Sequence, residues 1–187
     1  MNRRHALGLL AAAALPLGGC FRQRPVVIAA DLRGQEAYSL ATGDKLRIIV
    51  FGQDSLSNIY QIDASGRIAM PLIGPVQVGG LGTAGAAAAI EAKLKGGFIR
   101  EPKVTVEVDA YRPFFILGEV TTSGQFPYVN GMTVQTAVAI AGGFTPRADR
   151  DIAELTRRTV RGVVIGEVPI TYPVRPGDTI VIKERWF

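Results

Sequence analysis

Three glycines in residues 75–94, PVQVGGLGTAGAAAAIEAKL, have the spacing of a dinucleotide-binding turn. Gly80, Gly82 and Gly85 form a G-x-G-x-x-G pattern between a short apolar run and an alanine-rich segment that is expected to be helical. A later strand-like run, VTVEVDA, contains Asp109, and an acidic residue after the second strand would bind a ribose. This spacing suggests a nicotinamide cofactor site and therefore a dehydrogenase.

The elements around these glycines argue against a cofactor site. A dinucleotide turn lies between parallel, buried strands, but here the preceding run is short, begins at Pro75 and alternates in polarity. The rest of the chain offers too few helical segments for a doubly wound sheet. We therefore expect the glycines to make a turn into a helix that Thr83 caps. We expect Asp109 to lie on the solvent-exposed face of a strand.

The N-terminus predicts the compartment. Residues 1–19 combine Arg3 and Arg4 with an apolar run too short to span a membrane comfortably, and small residues precede Cys20. This pattern indicates an export signal. The motif LGGC resembles the signal box of a bacterial lipoprotein, which implies cleavage before Cys20, lipidation of its sulfur and acylation of the new amine. Phe21 in the next position, rather than Asp, favours sorting to the outer membrane by the same resemblance.

Removal of that segment excludes several classes of chemistry. It would take away two arginines, no acid and His5, the only histidine, while Cys20 is the only cysteine. Without an imidazole or a thiol, the chain has no Ser-His-Asp or Cys-His constellation and no zinc site built from His and Cys. The remaining positive charge is mild, which argues against a nucleic-acid partner. We therefore expect no enzyme, no cofactor and no metal site.

The mature chain reads as an α+β protein with mostly antiparallel pairing. Apolar strand patterns at residues 45–51 and 103–111 flank the first helix, and Gly96-Gly97 end that helix. The second half repeats this style, with a short helix capped by Thr133 and stopped at Gly142-Gly143. We expect a lipid-anchored linker at 20–36 and two small domains at 37–111 and 112–187.

The same short pattern occurs twice in the chain, since each of two Gly-Asp pairs directly precedes an apolar strand. Gly43-Asp44 occurs in ATGDKLRIIVF and Gly177-Asp178 in RPGDTIVIKER. The aspartates could bind a ligand. We favour a structural turn, in which glycine supplies a positive φ and aspartate accepts hydrogen bonds from nearby backbone amides.

The ordered motifs resemble those of bacterial outer-membrane polysaccharide export proteins. VFGQDSLS, DASGRIAMPLIG and EPKVTVEV resemble the polysaccharide export domain, while LGEV, SGQFPY, TVQTAVAIAGGFT and RPGDTIVIKER resemble the β-grasp domain of the soluble-ligand-binding (SLBB) type that follows it. The resemblance implies a role in moving capsular polysaccharide or exopolysaccharide out of the periplasm. It also implies a ring-forming homo-oligomer that works with an inner-membrane polysaccharide co-polymerase as a conduit, not as a catalyst.

Longer members of that family continue to a C-terminal helix that crosses the outer membrane, whereas this sequence ends at ERWF. We therefore expect a lipid-anchored protein on the outer membrane, facing the periplasm, that depends on a separate outer-membrane channel. The alternative is a periplasmic glycan- or peptidoglycan-binding lipoprotein without a transport role. The terminal Trp186 and Phe187 are expected to pack on the last strand or to meet a membrane or partner.

Several arginines of the second domain are candidates to face the polysaccharide, because many exported polysaccharides are acidic. The first candidates are Arg112, Arg147 and Arg150. The wider set adds Arg157, Arg158 and Arg161. The interpretation that we favour for the whole set is the plainer one, solvated surface arginines.

Overall fold

The computed structural model describes residues 38–159 and 162–185. The lipoprotein signal, Cys20, the linker, Arg161, Trp186 and Phe187 lie outside the described residues. In chain order the elements are β1 (Lys45–Val50), a 3-10 turn (Asp54–Leu56), β2 (Asn58–Gln61), β3 (Arg67–Met70), β4 (Gly74–Gln77), α1 (Thr83–Lys95), β5 (Val104–Ala110), β6 (Phe114–Gly118), β7 (Gly124–Phe126), α2 (Val134–Ile140), β8 (Ile152–Thr159), β9 (Gly162–Pro169) and β10 (Thr179–Ile182). The strands pair antiparallel except for β6 and β10, which confirms the predicted α+β class.

The first half packs α1 against a small sheet of order β2-β1-β5 and against the hairpin β3-β4. β1 buries every second residue, because successive side chains of a strand point to opposite faces. α1 buries one residue per turn on the face that meets the sheet. The buried residues of these two elements are Leu46, Ile48, Val50, Ala86, Ile90 and Leu94.

The glycine-rich segment uses its backbone groups for packing. Gly80 has a positive φ of 86°, and its N–H donates to the carbonyl of Leu40 at 2.7 Å. Gly82 occupies the N-cap position of α1, and Thr83 is the first helical residue, without a capping hydrogen bond from a side chain. The prediction that Thr83 caps this helix is therefore wrong. The helix begins one residue earlier because Gly82 adopts the extended N-cap conformation itself.

The strands beside that segment are not a dinucleotide-binding unit. β4 pairs antiparallel with β3, and β5 pairs antiparallel with β1, so α1 does not connect neighbouring parallel strands. Asp109 lies on the solvent-facing side of β5, as predicted, and accepts a hydrogen bond from Arg47 Nη2 at 2.6 Å. Asp109 is thus a surface ion-pair residue of an antiparallel sheet.

The turn between β2 and β3 is built around one exposed carboxylate. Asp63 Oδ1 accepts hydrogen bonds from the amide of Ser65 at 2.8 Å, from its hydroxyl at 2.7 Å and from the amide of Arg67 at 2.9 Å. The hydroxyl of Ser65 contributes most to lowering the pKa of Asp63, and the Arg67 amide adds to the effect. The ionised carboxylate therefore holds the turn.

The second half forms a five-stranded sheet of order β7-β6-β10-β8-β9, and α2 shares its hydrophobic core. Thr133 caps α2 as predicted, because its hydroxyl accepts from the amide of Thr136 at 3.4 Å. Gly142 and Gly143 follow the helix with positive φ values, which confirms the predicted stop. The core includes Phe114, Ile116, Val134, Ala137, Val138, Leu155, Ile180 and Ile182.

A close approach of two backbones requires glycine at the end of β6. Gly118 has φ 87°, and a Cβ added there would lie 2.1 Å from the carbonyl oxygen of Ile182 on β10. Only a residue without a side chain permits this parallel pairing.

The face of this sheet that is turned away from its core carries both apolar and charged groups. Register places Glu154 of β8 directly opposite Glu167 of β9. Lys183 Nζ contacts Glu154 at 2.8 Å and Glu167 at 3.1 Å, which offsets the repulsion between these two carboxylates. The exposed apolar residues of this outer sheet face are Phe115, Leu117, Val163 and Ile165.

Candidate functional site

The two Gly-Asp pairs form equivalent turns with buried carboxylates. Asp44 and Asp178 are 0% and 1% exposed. Asp44 Oδ2 accepts from the amide of Ala41 at 2.9 Å, and Asp178 Oδ2 accepts from the amide of Arg175 at 2.7 Å. Each aspartate thus bonds the amide three residues before it, and the glycine before each has a positive φ. The structural interpretation of both pairs is confirmed.

Asp178 forms a buried, bidentate ion pair with Arg157. Arg157 Nε donates to Oδ1 at 3.0 Å and Nη2 donates to Oδ2 at 2.7 Å. The rest of the guanidinium donates to the hydroxyl of Tyr172 and the carbonyl of Pro173. Burial by itself would lower the pKa of Arg157, but the hydrogen bond and charge of Asp178 outweigh it and raise that pKa. Every edge of this guanidinium is occupied.

Asp44 forms a second pair, with Arg112, across the junction of the two halves. The amide of Arg112 donates to Asp44 Oδ1 at 2.9 Å, and its Nη1 lies 3.4 Å from Oδ2. Tyr38 completes the group, because its hydroxyl donates to Asp44 Oδ2 at 2.5 Å and accepts from Arg112 Nη1 at 3.1 Å. Burial, reinforced by the hydrogen bond to Asp44, raises the pKa of the Tyr38 phenol.

Arg112 contacts both Gly-Asp turns. A Cβ at Gly177 would lie 2.7 Å from Arg112 Nε, and a Cβ at Gly43 would lie 3.5 Å from Arg112 Cβ. The absence of a side chain at Gly177 therefore leaves the space that the guanidinium occupies. Arg112 links the turn of the first half to the turn of the second.

A cleft of about 470 Å³ opens beside Arg112, between the two halves. One wall contains three half-buried tyrosines in edge-to-face contact. The ring centroids of Tyr38 and Tyr111 are 5.0 Å apart, and those of Tyr111 and Tyr128 are 5.4 Å apart. Such rings offer apolar surface beside polar hydroxyls, a combination that suits ligands with both characters.

Positive charge predominates in the lining of this cleft. Among the described residues, the charged lining groups are Arg112, Arg157, Arg158, Arg175 and Asp178. Asp178 neutralises Arg157, while Arg158 at the next position of β8 is exposed and has no side-chain partner within the described residues. The cleft therefore has the electrostatic character of an anion site.

The structure separates the predicted arginines into two places. Arg112 lines the cleft, whereas Arg147 and Arg150 lie in the segment before β8 and do not line it. Arg147 pairs with Glu184, its Nε lying 2.7 Å from Oε1, and Arg150 is exposed. A role of all three in facing a polysaccharide stays a prediction.

In the wider set, Arg158 also lines the cleft, but the expectation of a solvated residue is wrong for Arg157, which is 3% exposed. The sequence patterns do not identify the three tyrosines or Arg175 as parts of one site. In the sequence, Tyr111 is notable only because it lies at the predicted boundary between the two strand-rich units. That boundary position is the one sequence feature that could have pointed to a cleft there.

Within residues 38–159 and 162–185, no three His, Cys, Asp or Glu side chains lie together in an arrangement that could hold a metal ion. Nor does this described part of the chain contain a helix with the length and apolar character needed to cross a membrane.

Comparison with known proteins gives two adjoining matches. Residues 33–109 match the family described as polysaccharide biosynthesis/export protein, and residues 113–168 match the SLBB domain. The chain is also 33% identical over 132 residues to the exopolysaccharide production protein ExoF of Rhizobium meliloti (strain 1021). That match covers 64% of this chain and 31% of the relative, so the chain spans less than a third of the length of the curated relative.

Proposed function

Because this chain belongs to the polysaccharide export protein family, with a polysaccharide export domain followed by an SLBB domain, we propose that it takes part in moving an exopolysaccharide or capsular polysaccharide out of the cell. The observation that carries the proposal is the order of these two domains. The 33% identity to an exopolysaccharide production protein supports it. The role is that of a conduit or adaptor, since this is a family of export proteins and not of enzymes.

The deciding experiment compares strains with and without the gene. A deletion strain should lose most of its extracellular polymer and retain polymer inside the cell envelope, and a plasmid copy should restore export. Normal extracellular polymer in the deletion strain would contradict the proposal. That result would favour the alternative, a periplasmic glycan- or peptidoglycan-binding lipoprotein without a transport role.

The proposed location is the periplasmic side of the outer membrane, with a lipid anchor on Cys20. LGGC ending at that residue and Phe21 after it support this proposal. Mass spectrometry of the mature N-terminus should detect the added acyl mass on the native chain and not on a C20A variant. An unmodified or uncleaved native N-terminus would contradict the anchor.

The proposed assembly is a closed homo-oligomeric ring, joined to an inner-membrane polysaccharide co-polymerase and a separate outer-membrane channel. The outer sheet face supports it, because Val163 and Ile165 are 59% and 62% exposed and lie on β9, an edge strand of the sheet. A charged substitution, I165E, should weaken self-association in analytical ultracentrifugation, whereas R100Q in the first half should leave it unchanged. A native chain that stays monomeric at high concentration would contradict the ring.

A further inference from the structure

We propose that the cleft between the two halves binds a carboxylate-bearing sugar residue, with the carboxylate on Arg112 and the sugar ring against the tyrosine wall. This inference rests on the proposed export function and names its substrate class: a polysaccharide that contains uronic acids. Its basis is the difference between the polar groups of the cleft that already have partners and those that do not.

Arg112 retains an unused edge, unlike the neighbouring Arg157. All three guanidinium nitrogens of Arg157 have hydrogen-bond partners. In Arg112 only Nη1 donates to a partner among the described residues, which leaves Nε and Nη2 without one. Buried side-chain nitrogens and oxygens in the described part of the chain all have partners, so these two nitrogens are reached by solvent.

The unused edge has the geometry of a carboxylate receptor. Nε and Nη2 are parallel donors on one side of a planar group, and such a pair binds both oxygens of a carboxylate at once. Asp44 and Tyr38 hold Nη1 of this guanidinium, and Gly177 packs beside its Nε. A fixed donor pair loses little side-chain entropy when it binds a ligand.

Arg158 also lines the cleft, and no acidic side chain neutralises its charge within the described residues. Because it lies opposite Val163 on the outer sheet face, it attracts an anion from a distance rather than by direct contact. Arg112 is 25% exposed at its side chain, so a bound carboxylate would lie in a partly dehydrated site. The wall formed by Tyr111 and Tyr128 is close to these charges and can cover the apolar face of a pyranose ring. Charge and aromatic surface together favour an acidic sugar over a neutral one.

The test is a calorimetric titration of the full chain purified in detergent. The probes are trisaccharides of galacturonate, glucuronate and mannuronate, the corresponding neutral trisaccharides, and a sugar phosphate. We expect at least one uronate trisaccharide to bind about tenfold more tightly than its neutral counterpart, because a hydrogen bond between charged groups is stronger than one between neutral groups.

Two variants locate the binding energy, and a third is the matched control. R112K keeps the charge but loses the donor pair, and should weaken uronate binding about 10- to 100-fold. R158Q removes an exposed charge and should weaken it about 3- to 10-fold. R100Q removes an exposed arginine that does not line the cleft, and should leave binding unchanged. Thermal unfolding of each variant checks that the fold is intact.

Four results would overturn the inference. Two concern the sugars: neutral and acidic trisaccharides bind equally, or no uronate binds at millimolar concentration. The other two are binding of the sugar phosphate without binding of any uronate, and wild-type affinity in both R112K and R158Q. These results leave the export proposal standing if the deletion strain fails to export polymer. Conversely, normal export in the deletion strain removes the export role without affecting the titration of the purified protein.

Discussion

The two buried aspartates allow a matched comparison of D178N with D44N. In D178N the guanidinium of Arg157, whose side chain is 4% exposed, remains buried without its counterion. Removing one member of a buried ion pair costs about 3–5 kcal/mol of folding stability. In D44N the partner is Arg112, which lies 3.4 Å away with a side chain that is 25% exposed, so water compensates part of its charge. We expect D44N to cost about 2 kcal/mol.

Native-state hydrogen exchange measures the two effects separately, because it reports the local opening of each sheet rather than only global unfolding. A loss of about 3–5 kcal/mol corresponds to a roughly 100- to 5000-fold loss of protection for the amides of β8 in D178N. Amides of β1 in D44N should lose protection about 30-fold. Equal effects, or a larger effect in D44N, would refute the assignment of the cost to a buried charge.

A double variant separates charge from geometry. R157M in the background of D178N removes the orphaned cation, while the side-chain oxygen of the introduced asparagine can still accept a hydrogen bond from the turn. We expect the double variant to be more stable than D178N, since no uncompensated charge remains buried. A double variant as unstable as D178N would show that the lost hydrogen bonds, not the charge, dominate.

Three further substitutions or titrations probe the packing and the turns. G118A should destabilise the second half by about 4 kcal/mol or more in urea unfolding, because the new Cβ meets a β10 carbonyl. G80A has a similar φ but open space around the new Cβ, and should cost only about 1–2 kcal/mol. Similar costs for the two variants would contradict the steric explanation. K183M should lower the free energy of unfolding by less than about 1 kcal/mol, because Glu154 and Glu167 then repel each other without a cation between them. Salt screens this repulsion, so the loss should shrink at high salt, and a salt-independent loss would exclude charge repulsion as its cause. The pKa of Asp63 is lowered in the folded state, so its contribution to stability is present at neutral pH and is lost as the pH falls through that folded value. The NMR shift of the Ser65 amide should therefore titrate with a midpoint below that of an ordinary aspartate. A normal midpoint would contradict the role of this carboxylate in the turn.

Local patterns predicted much of the fold. The apolar strand patterns at residues 45–51 and 103–111, the cap at Thr133 and the stop at Gly142-Gly143 all depend on neighbouring residues, and the structure agrees with each. The failure at Thr83 is also local, because a flexible glycine before a capping residue can take the N-cap position and start the helix one position earlier. The glycine spacing at residues 80–85 predicted a turn correctly, but the antiparallel strands beside it are incompatible with a cofactor site.

The sequence by itself determined the class, the order of the two family domains and the turn at each Gly-Asp pair, because these depend on short-range chemistry. Only the tertiary structure decided that Arg112 meets Asp44, 68 positions away in the chain, and also packs on Gly177. It likewise decided that Arg157 is buried while its neighbour Arg158 lines the cleft as an exposed charge. Strand register and the meeting of the two halves set these positions, and neither is encoded in the spacing of any single motif.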